Sequence, residues 1–397
     1  SFFYPSIGLS AILTSMFNAP DWLTYLKVRG SYTEVGNSYG RFMTTVTYPY
    51  DEQTQSWTST SSYPNTKLKP ERTKSWEVGL DARILNDISL NLTYYRSNTY
   101  NQTFYADLSL SSGYSNIPIQ SGNIMNEGLE MSLGYNKQWK DFSFNTNYTL
   151  TWNKNRVKRL ADGVYNYATG QPIQMPELSP LTYGHTDARL ILRVGGSMGD
   201  VYGQRLLKRD LNGYILNEEG VGLAMENKET YLGSILPKMN MGWSLGFGYK
   251  GVNLGMTFTG RFGGIVISET QSVLDAAGVS KVSADVRDAG GVQINQSKVS
   301  AQTYYQTIQG TAAYYTYSAT NVRLGELSLS YTLPKKWFDN KVGMTVGLVG
   351  KNLWMIYCKA PYDPESTSSV TSNFYQGVDY FQQPSLRSLG FNVKLTF

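Results

Sequence analysis

Apolar and polar residues alternate with a period of two along much of the chain, the spacing that puts every second side chain on one face of a β-strand. In 75–84 the even positions are Trp76, Val78, Leu80, Ala82 and Ile84, while Ser75, Glu77, Gly79, Asp81 and Arg83 hold the odd ones. Ile88, Leu90, Leu92 and Tyr94 keep the rule, as do Leu129, Met131, Leu133 and Tyr135. Phe142, Phe144, Thr146, Tyr148, Leu150 and Trp152 extend it, followed by Trp243, Leu245, Phe247 and Tyr249 and by Val252, Leu254, Met256 and Phe258. Leu327, Leu329, Tyr331 and Leu333 continue it, but the phase slips after Leu324, which predicts a β-bulge. The chain ends on Leu389, Phe391, Val393, Leu395 and Phe397, interleaved with Gly390, Asn392, Lys394 and Thr396.

This pattern predicts about eleven strands, near 2–12, 23–35, 74–85, 88–106, 124–138, 141–157, 238–250, 252–262, 318–333, 342–354 and 385–397. Alternation alone also fits a soluble sandwich, which has one wet face. Two features favour a membrane barrel. Trp76, Tyr94, Tyr135, Trp152, Trp243 and Tyr249 read as strand-end aromatics, where a bilayer interface holds them. Connections also alternate in length, with short turns at Asn86-Asp87, Gln138–Asp141, Lys250-Gly251 and Pro334–Lys341 and long loops across 36–73, 101–126, 158–237, 263–317 and 353–385. Short periplasmic turns and long outer loops are the habit of outer-membrane barrels. A closing amphipathic strand with an aromatic terminus fits the same class, against the alternative of an ordinary edge strand. The expected fold is therefore an all-β transmembrane antiparallel β-barrel with a periplasmic carboxy-terminus, and 13–22 becomes a periplasmic connection, read as a short helix. An odd count leaves the first and last strands running the same way, so strands from elsewhere are expected to complete the closure.

Composition sharpens this. The 397 residues include 31 Tyr, 15 Phe and 8 Trp, only 16 % are charged, and 38 are glycine, whereas ordinary globular chains carry roughly 25 % charged residues. Mean hydropathy is −0.33, and no run reaches the roughly 18 apolar residues of a membrane helix. Thirty-five basic residues against 30 acidic ones leave a small excess, without the basic stripe of a nucleic-acid binder. The single Cys358 excludes an internal disulfide framework and a cysteine-rich zinc site. The chain opens on Ser-Phe-Phe-Tyr, so its true beginning is expected upstream.

Candidate chemistry is sparse. The one histidine, His185, reads as a surface-loop residue, which leaves a Ser-His-Asp enzyme or a zinc site without partners, and no enzyme, metal or cofactor is expected. Gly195-Gly196-Ser197-Met198-Gly199-Asp200 lacks the lysine of a phosphate loop and reads as loop flexibility. Glu218-Glu219 are adjacent and cannot converge as a glycosidase pair does, so they read as solvated. Lys154, Arg156, Lys158 and Arg159 form a basic rim that fits lipopolysaccharide phosphates or plain solvation. Aromatic loops are the stronger candidates for binding: Tyr304, Tyr305, Tyr314, Tyr315 and Tyr317 in one, and Tyr357, Tyr362, Phe374, Tyr375, Tyr380 and Phe381 in the other, with Asp363 beside Tyr362. Flat rings suit sugars, peptide backbones or a protein lid. Glu77, Asp81, Arg83 and Glu130 are expected to line the lumen.

Several segments form a set: Arg29-Gly30-Ser31-Tyr32 with Val35-Gly36-Asn37; Leu68-Lys69-Pro70-Glu71-Arg72-Thr73 with Trp76-Glu77-Val78-Gly79-Leu80-Asp81; and Asn126-Glu127-Gly128-Leu129-Glu130. Leu232-Gly233-Ser234, Pro237-Lys238 and Gly248-Tyr249-Lys250 belong with them, as do Asn321-Val322-Arg323-Leu324, Leu327 through Pro334, Gly350-Lys351-Asn352-Leu353 and Tyr362-Asp363-Pro364-Glu365. In this order they resemble the carboxy-terminal barrel region of SusC/RagA-type TonB-dependent transporters of Bacteroidetes. The resemblance implies import of oligosaccharides or peptides, powered through TonB, under a SusD-like surface lipoprotein lid. It also implies that these eleven strands are the carboxy-terminal half of a 22-stranded plugged barrel. Residues 1–397 would be that half, without the plug, the TonB-contacting segment or the other amino-terminal domains. A passive porin or a surface adhesin is the alternative.

Overall fold

A computed structural model describes residues 3–58, 61–108, 110–120, 122–160, 177–183, 186–218, 222–366 and 377–397. Eleven strands pair antiparallel in sequence order into one sheet. They are β1 Ser6–Ile12, β2 Leu23–Asn37, β3 Glu71–Ile84, β4 Ile88–Tyr100, β5 Asn123–Trp139 and β6 Phe142–Arg159, then β7 Met239–Tyr249, β8 Val252–Phe262, β9 Asn321–Leu333, β10 Gly343–Cys358 and β11 Ser388–Thr396. The segment read as a short helix is α1, Leu13–Met16.

Register carries the alternation across the whole sheet. Arg29, Gly79, Thr93, Glu130, Thr151, Asn240, Arg261 and Asn321 are successive partners in one row. The row beside it runs Gly30, Val78, Tyr94, Leu129, Trp152, Met239 and Phe262. One face is therefore polar or small and the other apolar, because neighbouring residues of a strand point to opposite sides. The predicted bulge is at Gly325: Thr257 faces Glu326 and Phe258 faces Leu324, which leaves Gly325 over. Short turns close the strands at one end. Leu85 and Asn86 (φ 51° and 59°) and Lys250 and Gly251 (φ 45° and 89°) are left-handed pairs, the backbone whose twist suits two-residue hairpins.

The structure corrects three expectations. The strand expected over 88–106 stops at Tyr100, where Asn101 turns left-handed (φ 57°), and Thr103–Asp107 forms a separate hairpin with Asn116–Gln120. Trp76, Tyr94 and Trp243 lie within β3, β4 and β7 rather than at their ends, and the Trp243 indole N–H donates to Thr146 Oγ1 at 2.9 Å. The long loops also hold a folded cap. Glu177–Thr182, Arg189–Arg193, Asp200–Leu207 and Met225–Ser234 make a four-stranded sheet. Helices α2 Glu269–Ala276, α3 Lys281–Asp288 and α4 Ala301–Ile308 each start on a serine, Ser268, Ser280 or Ser300, whose hydroxyl accepts a backbone N–H from the first turn.

Burial concentrates in this cap. One core joins Phe104, Leu190, Leu192, Val201 and Ile267 to Ile124 and Val157 of the wall. A second joins Leu207, Leu223, Ile294, Ile308, Tyr305 and Tyr315. Among the described residues the only buried apolar side chains of the eleven wall strands are Ile124, Met125 and Val157. Ile124 and Val157 face each other and are two residues on from polar-face positions. The polar face turns apolar there because the cap packs on it.

Candidate functional site on the polar face and its cap

Polar-face residues of β2, β3 and β4 form a charged cluster. Arg29 donates to Asp81 at 3.1 Å and also to Thr93, Lys27 lies 3.7 Å from Asp81, and Asn91 donates to the same carboxylate. Glu77 and Arg83 share that face of β3 with Asp81, spread over about 20 Å at the rise of a strand. Glu130 lies on it two strands away, opposite Thr93 and Thr151. Asp81 is thus joined to cations, while Glu77, Arg83 and Glu130 occupy separate rows.

Near the long-loop end, a cavity of about 1200 Å³ opens between wall and cap. Thr151, Asn153 and Asn240 line it from the wall, Lys238 from the connection ahead of β7, and Ser197, Asp200 and Tyr231 from the cap. Asp200 is buried and accepts from the Ser197 N–H at 2.8 Å, the Ser197 hydroxyl at 2.7 Å and the Tyr231 hydroxyl at 3.3 Å. Burial, then the charge and hydrogen bond of Asp200, push the Tyr231 phenol up to about 12. The Gly195–Asp200 segment, read from sequence as flexible, is an ordered turn fastened to β6. Val157 N–H donates to Gly196 O and Gly195 N–H to Val157 O, both at 2.8 Å. Glycine is needed at 196, since a Cβ there would sit 2.5 Å from Asp200 Oδ2. Sequence reading missed this site; the only signal was an acid at the end of a glycine run.

The aromatic candidates divide by burial. Tyr305 and Tyr315 are core residues of the cap, leaving a ligand little surface, and burial raises both phenols. Tyr304 packs edge-on against Tyr305 with centroids 5.2 Å apart, and the Tyr314 hydroxyl accepts the Leu207 N–H at 3.1 Å. Tyr362 donates to Ile267 O at 3.4 Å, and burial raises its phenol as well. Asp363 takes a two-pronged bond from Arg323, at 2.7 and 2.8 Å, with both side chains over 90 % buried. Burial pushes its carboxyl up, but the guanidinium and the Glu365 N–H outweigh that and hold it below the usual carboxylate range. This pair fastens the Tyr362–Glu365 segment to β9. Tyr380 is exposed, edge-on to Phe381 at 5.3 Å, and offers an open aromatic surface. Phe374, Tyr375, His185 and Glu219 lie outside the described residues, as does the side chain of Glu218.

Lys154 and Arg156 of the basic rim also line the cavity, and Lys154 lies 3.8 Å from Glu127. Among the described residues no cluster of three His, Cys, Asp or Glu is close enough to hold a metal. No described helix is long and apolar enough to cross a membrane, a statement that leaves strands aside.

A sheet with one apolar face, short turns at one end and a folded cap at the other is the wall of a membrane β-barrel. The chain matches the TonB-dependent receptor-like β-barrel family over residues 1–353 and belongs to that family, which makes it part of an outer-membrane β-barrel. It is 25 % identical to TonB-dependent receptor P3 of Formosa agariphila, over 99 % of this chain and 42 % of that protein. Against TonB-dependent receptor SusC of Bacteroides thetaiotaomicron it is 27 % identical over 38 % of this chain and 14 % of SusC. The RagAB peptide importer in its open-open state superposes with a TM-score of 0.70 at 20 % identity, covering 99 % of this chain and 42 % of that one. These likenesses bear out the SusC/RagA-type resemblance and the barrel fold. The chain spans about two fifths (42 %) of the length of the P3 receptor and of the RagAB chain.

Proposed function

We propose that this chain forms the carboxy-terminal half of a 22-stranded importer barrel, with an amino-terminal plug and a TonB-contacting segment supplied by the rest of the protein. It carries oligosaccharides or peptides across the outer membrane, driven through TonB, under a SusD-like surface lipoprotein. The carboxy-terminus and short turns face the periplasm, and the cap faces outward. The exposed Tyr380 and the partly exposed Tyr304 and Tyr314 meet the substrate or the lid, and Tyr375 is included on its sequence. Glu77, Asp81, Arg83 and Glu130 line the lumen, and Lys154, Arg156, Lys158 and Arg159 meet lipopolysaccharide phosphates at the rim. The protein transports and does not catalyse.

One observation carries this reading: the cap is rooted on the polar face, through Ile124 and Val157, so the folded loops sit over the lumen rather than over lipid. A porin needs an open lumen, and an adhesin needs no lumen at all. The test is intact mass and amino-terminal sequencing of the complex purified in mild detergent. Co-purification with a larger upstream portion and a lipoprotein supports the importer. A chain that runs alone as a closed, conducting oligomer makes it a pore.

A further inference from the structure

At the short-turn end, three neighbouring turns gather a net positive charge. They are Lys140-Asp141, Lys250-Gly251 and the Pro334–Val342 connection. The Lys250 N–H donates to Asp141 O at 3.2 Å and the Thr332 N–H to Gly251 O at 2.8 Å, which holds them side by side. Together they carry five lysines, Lys140, Lys250, Lys335, Lys336 and Lys341, against Asp141 and Asp339, an excess of three in a chain whose whole excess is five. All five are exposed. Lys250 lies 3.9 Å from Asp141, and among the described residues Lys140, Lys335, Lys336 and Lys341 have no ion pair within 4 Å.

Beside the turns, Trp139, Phe142 and Tyr249 stand in one row of the apolar face. All three are exposed, Trp139 and Phe142 stack at 5.7 Å, and Lys250 lies 5.3 Å over the Tyr249 ring. Lys335–Phe338 is a single 3₁₀ turn stopped by left-handed Asp339 (φ 53°), and it presents Lys335 and Lys336 next to exposed Trp337. Cations just beyond an aromatic belt are at the depth of lipid phosphates, and aromatic rings anchor at that depth.

We propose that this lysine row binds the headgroups of anionic phospholipids in the periplasmic leaflet. The proposal rests on the orientation given above. The lysines meet phosphate, the aromatic row lies along the upper acyl chains, and anionic headgroups are favoured over zwitterionic ones because the unpaired ammonium groups outnumber nearby carboxylates.

The test is native mass spectrometry of the full-length receptor in mild detergent, titrated with phosphatidylglycerol or with phosphatidylcholine of the same chains. The expected result is tighter binding of phosphatidylglycerol, on the order of tenfold. The K335Q/K336Q/K341Q variant should lose that preference, and K335R/K336R/K341R should keep it. Equal affinity for both lipids, or a preference that survives the glutamine variant, overturns the proposal. So does displacement of the lipid by equimolar inorganic phosphate, the mark of a free-anion site. Orientation is read separately, by labelling N340C in a cysteine-free background with an impermeant maleimide. Protection in intact cells supports the periplasmic leaflet; labelling there turns the row outward and overturns both the orientation and this lipid assignment.

Discussion

Asp363 and Arg323 show how a recognisable motif serves structure rather than binding. The Tyr362–Glu365 element was legible in sequence, but its role was not, because Arg323 lies forty positions away on another strand. Replacing Asp363 by Asn leaves the buried guanidinium short of its counter-charge, a change that costs about 3 kcal/mol. The expected outcome for D363N is a lower temperature of heat-modified gel migration, with the wall strands intact by circular dichroism. The pH dependence has a definite sign. Because the Asp363 carboxyl is held below its usual range, its contribution is fully present above an unfolded pKa near ~3.9 and is lost as pH falls through the lower folded value. Stability of the parent should therefore fall more steeply than that of D363N when both are acidified below about pH 4. At Gly196 the constraint is steric, so G196A should loosen the Ser197–Asp200 turn, and faster hydrogen exchange over 195–200 would register it.

Strands were the most legible elements, because a wall one residue thick must repeat its pattern at every second position. Even the slip at Gly325 could be read, since the alternation changes phase there and the register leaves that residue unpaired. Deleting Gly325 should remove the bulge and leave Leu324, Glu326 and Leu327 in unbroken alternation opposite Phe258, Thr257 and Met256, so the heat-modifiable folded band should persist. Deleting Ser328 from the regular stretch should instead turn part of β9 to the wrong face and abolish that band. Charge on the apolar face is a milder test. Leu133→Arg, midway along the lipid-facing stretch of β5, should cost about 2–4 kcal/mol of folding into bilayers. Ser132→Arg, one residue away on the polar face, should cost about 1 kcal/mol or less. Equal costs would mean that the two faces are misassigned. The cap was illegible for the opposite reason. Its core joins Ile124, Val157, Leu190, Ile267 and Val378, residues distant in sequence, and no local period marks them. Tyr305 and Tyr315 therefore read as loop aromatics when they are core side chains.

In the whole molecule, a wall of locally patterned strands carries a cap whose contacts join residues distant in sequence, and we propose that the two form part of an energised importer. The direct test is uptake of labelled oligosaccharide and peptide mixtures by cells with and without the gene, before and after collapse of the proton gradient. The account predicts uptake that needs the gene and ceases with the gradient. Uptake that needs the gene but persists without the gradient, alongside steady conductance of the purified protein in planar bilayers, would contradict it.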